Sequence, residues 1–165
     1  MIKKLQERKA VELFTRIYAH SERRTLIIDD GTQSGWKETD RFPSIGECEL
    51  VIKDIQVPKH LNAFISSLHD YYANKREETF FYFEEEYVKG REAIEIECDL
   101  SSLVEIVSFV DDGPNFNAIL FDASLTWVLK FHHESIGYFS GIRELCDRLR
   151  NSGLLTHLVA DPVWL

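Results

Sequence analysis

The fold is decided by residues 117–140, which read NAILFDASLTWVLKFHHESIGYFS. Three β-type runs follow one another here, over residues 117–122, 126–133 and 136–140, with short polar breaks between them. The first run is apolar at consecutive positions, which is typical of a strand covered on both faces. Because short turns join the three runs, they predict an antiparallel meander at the centre of the sheet.

Helical patterns lie at the start, the middle and the end of the chain. Residues 3–20 carry apolar side chains near helical spacing, namely Leu5, Val11, Leu13, Phe14, Ile17 and Tyr18. Pro58 suits the first position of a second helix, where its missing N–H costs nothing. The buried stripe of that helix is predicted to be Leu61, Phe64, Ile65, Leu68 and Tyr72. A last helix is predicted over residues 142–151, before Ser152-Gly153.

Shorter segments complete the prediction. Residues 25–29, 79–83 and 92–98 read as strands, and alternation in the last of these places Glu95 and Glu97 on a solvated face. Asp99 is predicted to cap a short helix over residues 100–110. These elements give a single globular α+β domain over residues 1–165, with a mainly antiparallel sheet flanked by the N-terminal, middle and C-terminal helices.

The segment from residue 41 to residue 57 is ambiguous. Residues 41–43 read as a continuation of the preceding loop. Residues 48–55 fit either a strand or a short helix, and the helix is favoured because acidic residues precede apolar ones at turn spacing.

Cysteine usage and the N-terminus indicate a reduced, cytoplasmic protein. Cys48, Cys98 and Cys146 are widely spaced and odd in number, so neither a zinc site nor a disulfide framework is expected. The charged N-terminal residues lack the apolar stretch of a secretory signal. No apolar run approaches the length of a membrane span.

Charge is distributed unevenly along the chain. Residues 77–112 hold twelve acidic and two basic side chains, a net charge of −10, whereas the whole chain carries −9. Residues 1–24 carry +4. This acidity argues against nucleic acid as the main ligand, because nucleic-acid binding needs a basic surface.

Aromatic residues run through the acidic stretch, so it is predicted to be folded. Folded structure with this much like charge is destabilised by self-repulsion, and a basic partner is one reason to keep it. The alternative reading is a solvated acidic face that keeps the protein soluble. The residues predicted to bind a partner are Glu84, Glu85, Glu86, Tyr87, Glu92, Asp111 and Asp112.

The run His132-His133-Glu134 is the best candidate for metal or catalytic chemistry. Neighbouring strand residues point to opposite faces, so only His132 and Glu134 share one, and no third ligand is recognisable. The chain has no nucleophile elbow and no phosphate-binding loop. We therefore expect no metal, no cofactor and no catalytic residue.

Residues 121–134, FDASLTWVLKFHHE, resemble a strand pair found in small bacterial proteins. Some of these are immunity proteins, including those of contact-dependent growth inhibition systems. The resemblance covers less than a fifth of the chain, and no functional residue is carried over from it. It implies a cytosolic, non-enzymatic protein that binds and blocks one toxin, often a basic nuclease.

The sequence therefore predicts an immunity-type protein that neutralises a cognate basic toxin through an acidic, aromatic-containing surface. Two alternatives remain open. One is a metal-assisted hydrolase that uses His132, Glu134 and an acidic residue from the region 84–97. The other is a non-catalytic accessory or scaffold protein.

Overall fold

The computed structural model describes residues 1–28, 36–85, 94–106, 117–132, 135–158 and 163–164. Their helices are α1 (Glu7–Tyr18), α2 (Pro58–Tyr72), a 3-10 helix (Leu100–Ser102) that continues as a helical turn over residues 103–106, and α3 (Arg143–Arg150). The strands are β1 (Lys3–Lys4), β2 (Ser21–Ile28), β3 (Trp36–Pro43), β4 (Cys48–Lys53), β5 (Thr79–Glu84), β6 (Glu95–Asp99), β7 (Ala118–Asp122), β8 (Trp127–His132), β9 (Ile136–Gly141), β10 (Leu155–Leu158) and β11 (Val163–Trp164).

Eight strands form one antiparallel sheet in the order β1-β6-β5-β7-β8-β9-β4-β10. The predicted α+β fold is therefore confirmed, and the meander β7-β8-β9 lies at its centre. Every described residue of these three strands is buried. A second sheet has the order β11-β2-β3, in which β11 runs parallel to β2 and β3 runs antiparallel to it.

Both faces of the large sheet are covered. Helices α2 and α3 contribute to the core on one face, which includes Phe64, Leu68, Leu145, Trp127 and Phe139. Helix α1 packs on the other face, where its buried residues join Phe81, Phe83, Ile119, Phe121 and Val128. Strand β3 lies on this second face as well, because the Phe42 ring stacks on Tyr138 of β9 with centroids 4.5 Å apart. The sheet is thus the middle of three layers.

The predicted helices are present, and their limits differ most at the N-terminus. Helix α2 begins at Pro58, and all five residues of its predicted stripe are buried. Helix α1 begins at Glu7, because β1 precedes it and pairs with β6. Asp99 caps the 3-10 helix by accepting a hydrogen bond from the Ser102 backbone N–H at 2.9 Å. Residues 107–110 of that predicted helix lie outside the described residues.

Two predictions between residues 41 and 57 are wrong. Residues 41–43 belong to β3, and residues 48–53 of the favoured helix over residues 48–55 form strand β4 instead. Strand β4 lies between β9 and β10, so its alternate side chains face opposite layers and Leu50, Val51 and Ile52 are all buried. Burial on both faces removes the alternation that marks a half-exposed strand, which is why the segment resembled a helix.

The expectation of three reduced cysteines is also wrong. Cys48, at the start of β4, and Cys146, in α3, form a disulfide with Cα atoms 6.4 Å apart. They lie 98 residues apart in the chain and meet only because α3 packs near β4. Cys98 is the remaining thiol, and burial raises its pKa to about 12.

A buried carboxylate fixes the turn between β7 and β8. Asp122 Oδ1 accepts hydrogen bonds from the backbone N–H groups of Thr126 at 2.6 Å and Trp127 at 3.3 Å. The Tyr72 hydroxyl donates to Oδ2 at 3.0 Å and accepts from the Trp127 indole Nε1 at 2.7 Å. Burial raises the pKa of Asp122, and these hydrogen bonds offset part of the rise. The network joins α2 to the central hairpin.

Candidate protein-binding groove

A groove of about 330 Å³ runs between α1 and the ends of β5 and β6, and we call it the α1 groove. Its apolar lining is Ala10, Val11, Phe14 and Phe83, and its acidic lining is Glu7, Glu84, Glu85 and Glu95, together with Thr15. Helix α1 supplies one wall, and β5 with the residue after it supplies the other. The groove therefore combines apolar surface with four carboxylates.

Two apolar side chains of α1 reach solvent at this groove. Val11 is 61% exposed and Phe14 is 42% exposed, although both belong to the apolar residues that recur near helical spacing in this segment. The buried face of α1 is instead Ala10, Leu13 and Ile17. Adjacent exposed apolar side chains beside a groove are typical of an interaction surface.

Glu84 and Glu85 were predicted to be free to bind a partner, and both carboxylates are held inside the protein. Glu84 is 5% exposed, and its Oε2 accepts a hydrogen bond from the Ile94 backbone N–H at 2.9 Å. The Glu84 backbone N–H donates in turn to the Ile94 carbonyl at 2.9 Å. These two bonds fix the Glu84 wall of the groove.

Glu85 belongs to a buried ionic cluster centred on Lys130. Lys130 Nζ lies 3.3 Å from Glu85 Oε2 and 3.0 Å from Asp40 Oδ2, and it donates a hydrogen bond to the Arg41 carbonyl at 3.0 Å. The Tyr18 hydroxyl donates to Glu85 Oε1. The cluster thus connects α1, β3, β8 and the residue after β5.

Aromatic rings surround the ammonium of the cluster. Lys130 Nζ lies 5.2 Å from the Phe42 ring centroid and 5.7 Å from that of Tyr18, within the range of cation–π attraction. Burial, followed by the nearby Glu85 carboxylate, raises the pKa of Tyr18, so its hydroxyl remains a neutral donor. The Lys130 side chain is only 4% exposed, which makes the ion pair internal.

The described residues supply the α1 groove with one cation for four carboxylates. Lys130 pairs with Glu85, whereas Glu7 and Glu95 have no ion-pair partner among the residues that the structure describes. An excess of carboxylates in a concave, partly apolar site concentrates negative potential there. The lining of the groove therefore carries more negative than positive charge.

A second and larger acidic groove, of about 390 Å³, is a weaker candidate. It is lined by Met1, Lys3, Glu77, Glu78, Thr79, Glu97, Cys98 and Asp99. Lys9 pairs with Glu97 at 2.8 Å, and the N-terminal ammonium pairs with Asp99 and lowers the pKa of that carboxyl. Because internal cations already neutralise Glu97 and Asp99, two of its four lining carboxylates, the groove offers less attraction to a basic partner.

The remaining predicted partner-binding residues lie outside the described part of the chain. They are Glu86, Tyr87, Glu92, Asp111 and Asp112. Sequence reasoning missed Glu7, Val11 and Phe14 as groove residues. The sequence did contain a signal for Val11 and Phe14. When a helix buries Ala10, Leu13 and Ile17, its geometry places Val11 and Phe14 at the side of the buried face.

The predicted metal pair is only partly described. His132 ends β8 and is fully buried, on the face of that strand shared with Lys130. Residues 133 and 134 lie outside the described residues. Within the described residues, no three His, Cys, Asp or Glu side chains are grouped so as to hold a metal ion. The hydrolase alternative therefore stays a prediction.

No protein-family model, curated protein or solved structure matches the chain. Among the described residues, no helix combines the length and the apolar character that crossing a membrane requires.

Proposed function

We propose that this protein is an immunity-type binding protein that neutralises a cognate basic protein toxin, and that the α1 groove is part of its binding surface. One observation carries the proposal: the groove combines the exposed apolar side chains Val11 and Phe14 with the carboxylates Glu7 and Glu95, which lack cationic partners among the described residues. A cationic protein with an apolar contact surface satisfies both features.

The two kinds of side chain have separate roles in binding. Burial of the exposed Phe14 ring against a partner supplies affinity, since aromatic residues at the centre of an interface dominate its energetics. The carboxylates accelerate the approach of a basic partner and orient it, and salt weakens this effect by screening. Binding is stoichiometric.

The acidic residues named from the sequence retain a place in this proposal. Glu84 and Glu85 contribute charge and shape from fixed positions in the groove wall. Glu86 and Tyr87 follow Glu85 directly in the sequence. These two residues, with Glu92, Asp111 and Asp112, are predicted from the sequence alone to bind the partner.

A genetic selection tests neutralisation directly. Fragments of the source genome are expressed in a host, and those that stop growth are introduced again together with this protein. The expected result is at least one fragment that encodes a basic protein, is toxic alone and is tolerated in the presence of this protein. If this protein restores growth with none of the toxic fragments, the proposal is contradicted.

Variants of α1 test whether the groove is responsible. Glu7→Lys should weaken binding of the recovered toxin by roughly tenfold in calorimetry at low salt, because it replaces attraction by repulsion. Glu12→Lys is the matched control, since Glu12 is exposed on the same helix and does not line the groove. Equal weakening by both variants would show that only the overall charge matters.

The apolar part of the groove has its own control. Phe14→Ser should reduce the rescue of growth and weaken binding of the toxin at all salt concentrations. The variant removes an apolar contact, which salt does not screen. Val104→Ser removes another exposed apolar side chain, 54% exposed and outside the groove, and should leave binding unchanged. Retained binding by Phe14→Ser would place the toxin elsewhere on the protein.

A further inference from the structure

We infer that the α1 groove binds a single arginine side chain of the partner, with the guanidinium group between Glu7 and Glu95 and the aliphatic stem on the apolar lining. This inference rests on the proposed function and names the chemical group that the groove recognises. It follows from how the protein binds its own cations, from the size and lining of the groove, and from the differing hydration of arginine and lysine.

Three lysines of the described residues show how this fold binds a cation. Lys9, Lys75 and Lys130 each lie over an aromatic ring, with Nζ 5.1, 3.8 and 5.2 Å from the ring centroids of Phe81, Tyr71 and Phe42. Each also pairs with a carboxylate, at 2.8, 3.7 and 3.0 Å respectively. The combination of a ring and a carboxylate thus recurs at three places in the molecule.

The α1 groove presents the same combination without a cation of its own at Glu7 and Glu95. Phe14 stands at its rim and Phe83 in its lining, while Glu7 and Glu95 come from different elements, α1 and β6. A volume of about 330 Å³ lies at the lower end of small-molecule sites. It accommodates one long side chain rather than a helix or a strand of the partner.

Arginine fits this lining better than lysine. A guanidinium group is more weakly hydrated than an ammonium group, so less free energy is lost when it leaves water for a partly apolar groove. Its flat face stacks on aromatic rings, and its edge donates hydrogen bonds to carboxylates. Lysine offers the same charge but neither the planar face nor the fork of donors.

An NMR titration of the whole protein tests the inference with small probes. The probes are Nα-acetyl-arginine N-methylamide, the corresponding lysine derivative and the corresponding citrulline derivative, which has the shape of arginine without its charge. The arginine probe should shift the amide signals of Ala10, Phe14, Phe83 and Glu95, with a dissociation constant on the order of 1 mM. The lysine probe should bind more weakly, and the citrulline probe at least about tenfold more weakly.

Conservative variants localise the site. Glu7→Gln combined with Glu95→Gln should weaken the arginine probe by roughly tenfold, whereas Glu12→Gln should change nothing. Both proteins keep the length of every side chain, and their dispersed amide spectra report that the fold is intact. In the recovered toxin, replacement of one arginine by lysine or alanine should reproduce the loss.

Several results would overturn the inference. These are equal binding of the citrulline or lysine probe, shifts centred on the second acidic groove at Glu97 and Asp99, and the absence of a saturable shift at the solubility limit of the arginine probe. If the genetic selection recovers a toxin whose binding depends on Phe14 while the arginine probe fails, the proposed function stands and the arginine site is wrong. If the arginine probe binds and no toxin is neutralised, the immunity function is wrong.

Discussion

Replacement of the buried Lys130 by methionine isolates the ionic cluster behind the α1 groove. Methionine keeps an unbranched apolar stem of similar length, so the packing of β8 changes little. The change removes the ammonium group that lies 3.3 Å from Glu85 and 3.0 Å from Asp40. The carboxylates of Asp40 and Glu85 then repel each other, because no cation lies between them.

The size of the effect follows from how deeply each partner is buried. Removal of one partner of a fully buried ion pair costs about 3–5 kcal/mol. The Asp40 side chain is 34% exposed, so water replaces part of its lost interaction, whereas the Glu85 side chain is 12% exposed. The Lys130→Met protein should therefore lose about 3 kcal/mol of unfolding free energy, near the lower limit.

The assay is urea unfolding followed by fluorescence, to which the fully buried Trp127 contributes. A double-mutant cycle with Glu85→Gln separates the ion pair from other effects, because glutamine still accepts the hydrogen bond of the Tyr18 hydroxyl. The double variant should be more stable than the sum of the single effects by about 2 kcal/mol. Asp40→Asn should show a smaller coupling with Lys130→Met.

Two outcomes would refute this reasoning. A Lys130→Met protein within about 0.5 kcal/mol of the wild type would show that the cluster contributes nothing to stability. Strict additivity of Lys130→Met and Glu85→Gln would show that the two side chains do not interact. In either case the position of Glu85 in the groove wall would need another explanation.

Three further predictions concern the stability of the fold. Because folding raises the pKa of Asp122, the folded state binds more protons than the unfolded state, and this contribution to stability is lost as the pH rises above about 4. Asp122→Asn lacks that loss, so the stability of the variant relative to the wild type should be higher at about pH 8 than at about pH 3 in urea unfolding, and a constant difference would contradict this. Reduction of the Cys48–Cys146 disulfide should lower the unfolding free energy by about 4 kcal/mol. The measurement is the urea midpoint with and without reductant, and an unchanged midpoint would exclude a stabilising role for the disulfide. Gly46→Ala should lower the unfolding free energy by at least about 2 kcal/mol, measured by thermal or urea unfolding, because an added Cβ overlaps the backbone of Gly141. A variant as stable as the wild type would show that the two segments can move apart.

Sequence reasoning succeeded where one local pattern determines one element. The stripe of α2 repeats at helical spacing behind Pro58, and the runs of β7, β8 and β9 are separated by short turns, so both were recognised. It failed for β4, whose burial on both faces depends on β9 and β10 far along the chain. It also failed for Cys48 and Cys146, since no local pattern indicates which cysteines meet in space.

The candidate groove overlaps only part of the surface that was predicted from the sequence. An acidic surface with aromatic side chains was expected around Glu84, and the α1 groove lies there. The sequence did not reveal that Lys130 holds the Glu85 carboxylate, because the two residues meet only through the stacking of α1 and β3 on the sheet. It also did not distinguish Val11 and Phe14 from Leu13 and Ile17, since helical spacing alone does not separate the flank of a helix from its buried face.

The position of β4 sets the order in which the chain can become structured during synthesis. Strand β4 is made early, yet Leu50 pairs with Phe139 on one side and with Leu158 on the other. Both partners are synthesised long after β4, so the apolar residues of β4 stay unpaired until β9 and β10 have also left the ribosome. Pairing at such sequence separation is intrinsically slow, and chains waiting in this state are prone to aggregation. Yield in a heterologous host should therefore respond strongly to slower translation and to chaperones that shield the N-terminal half.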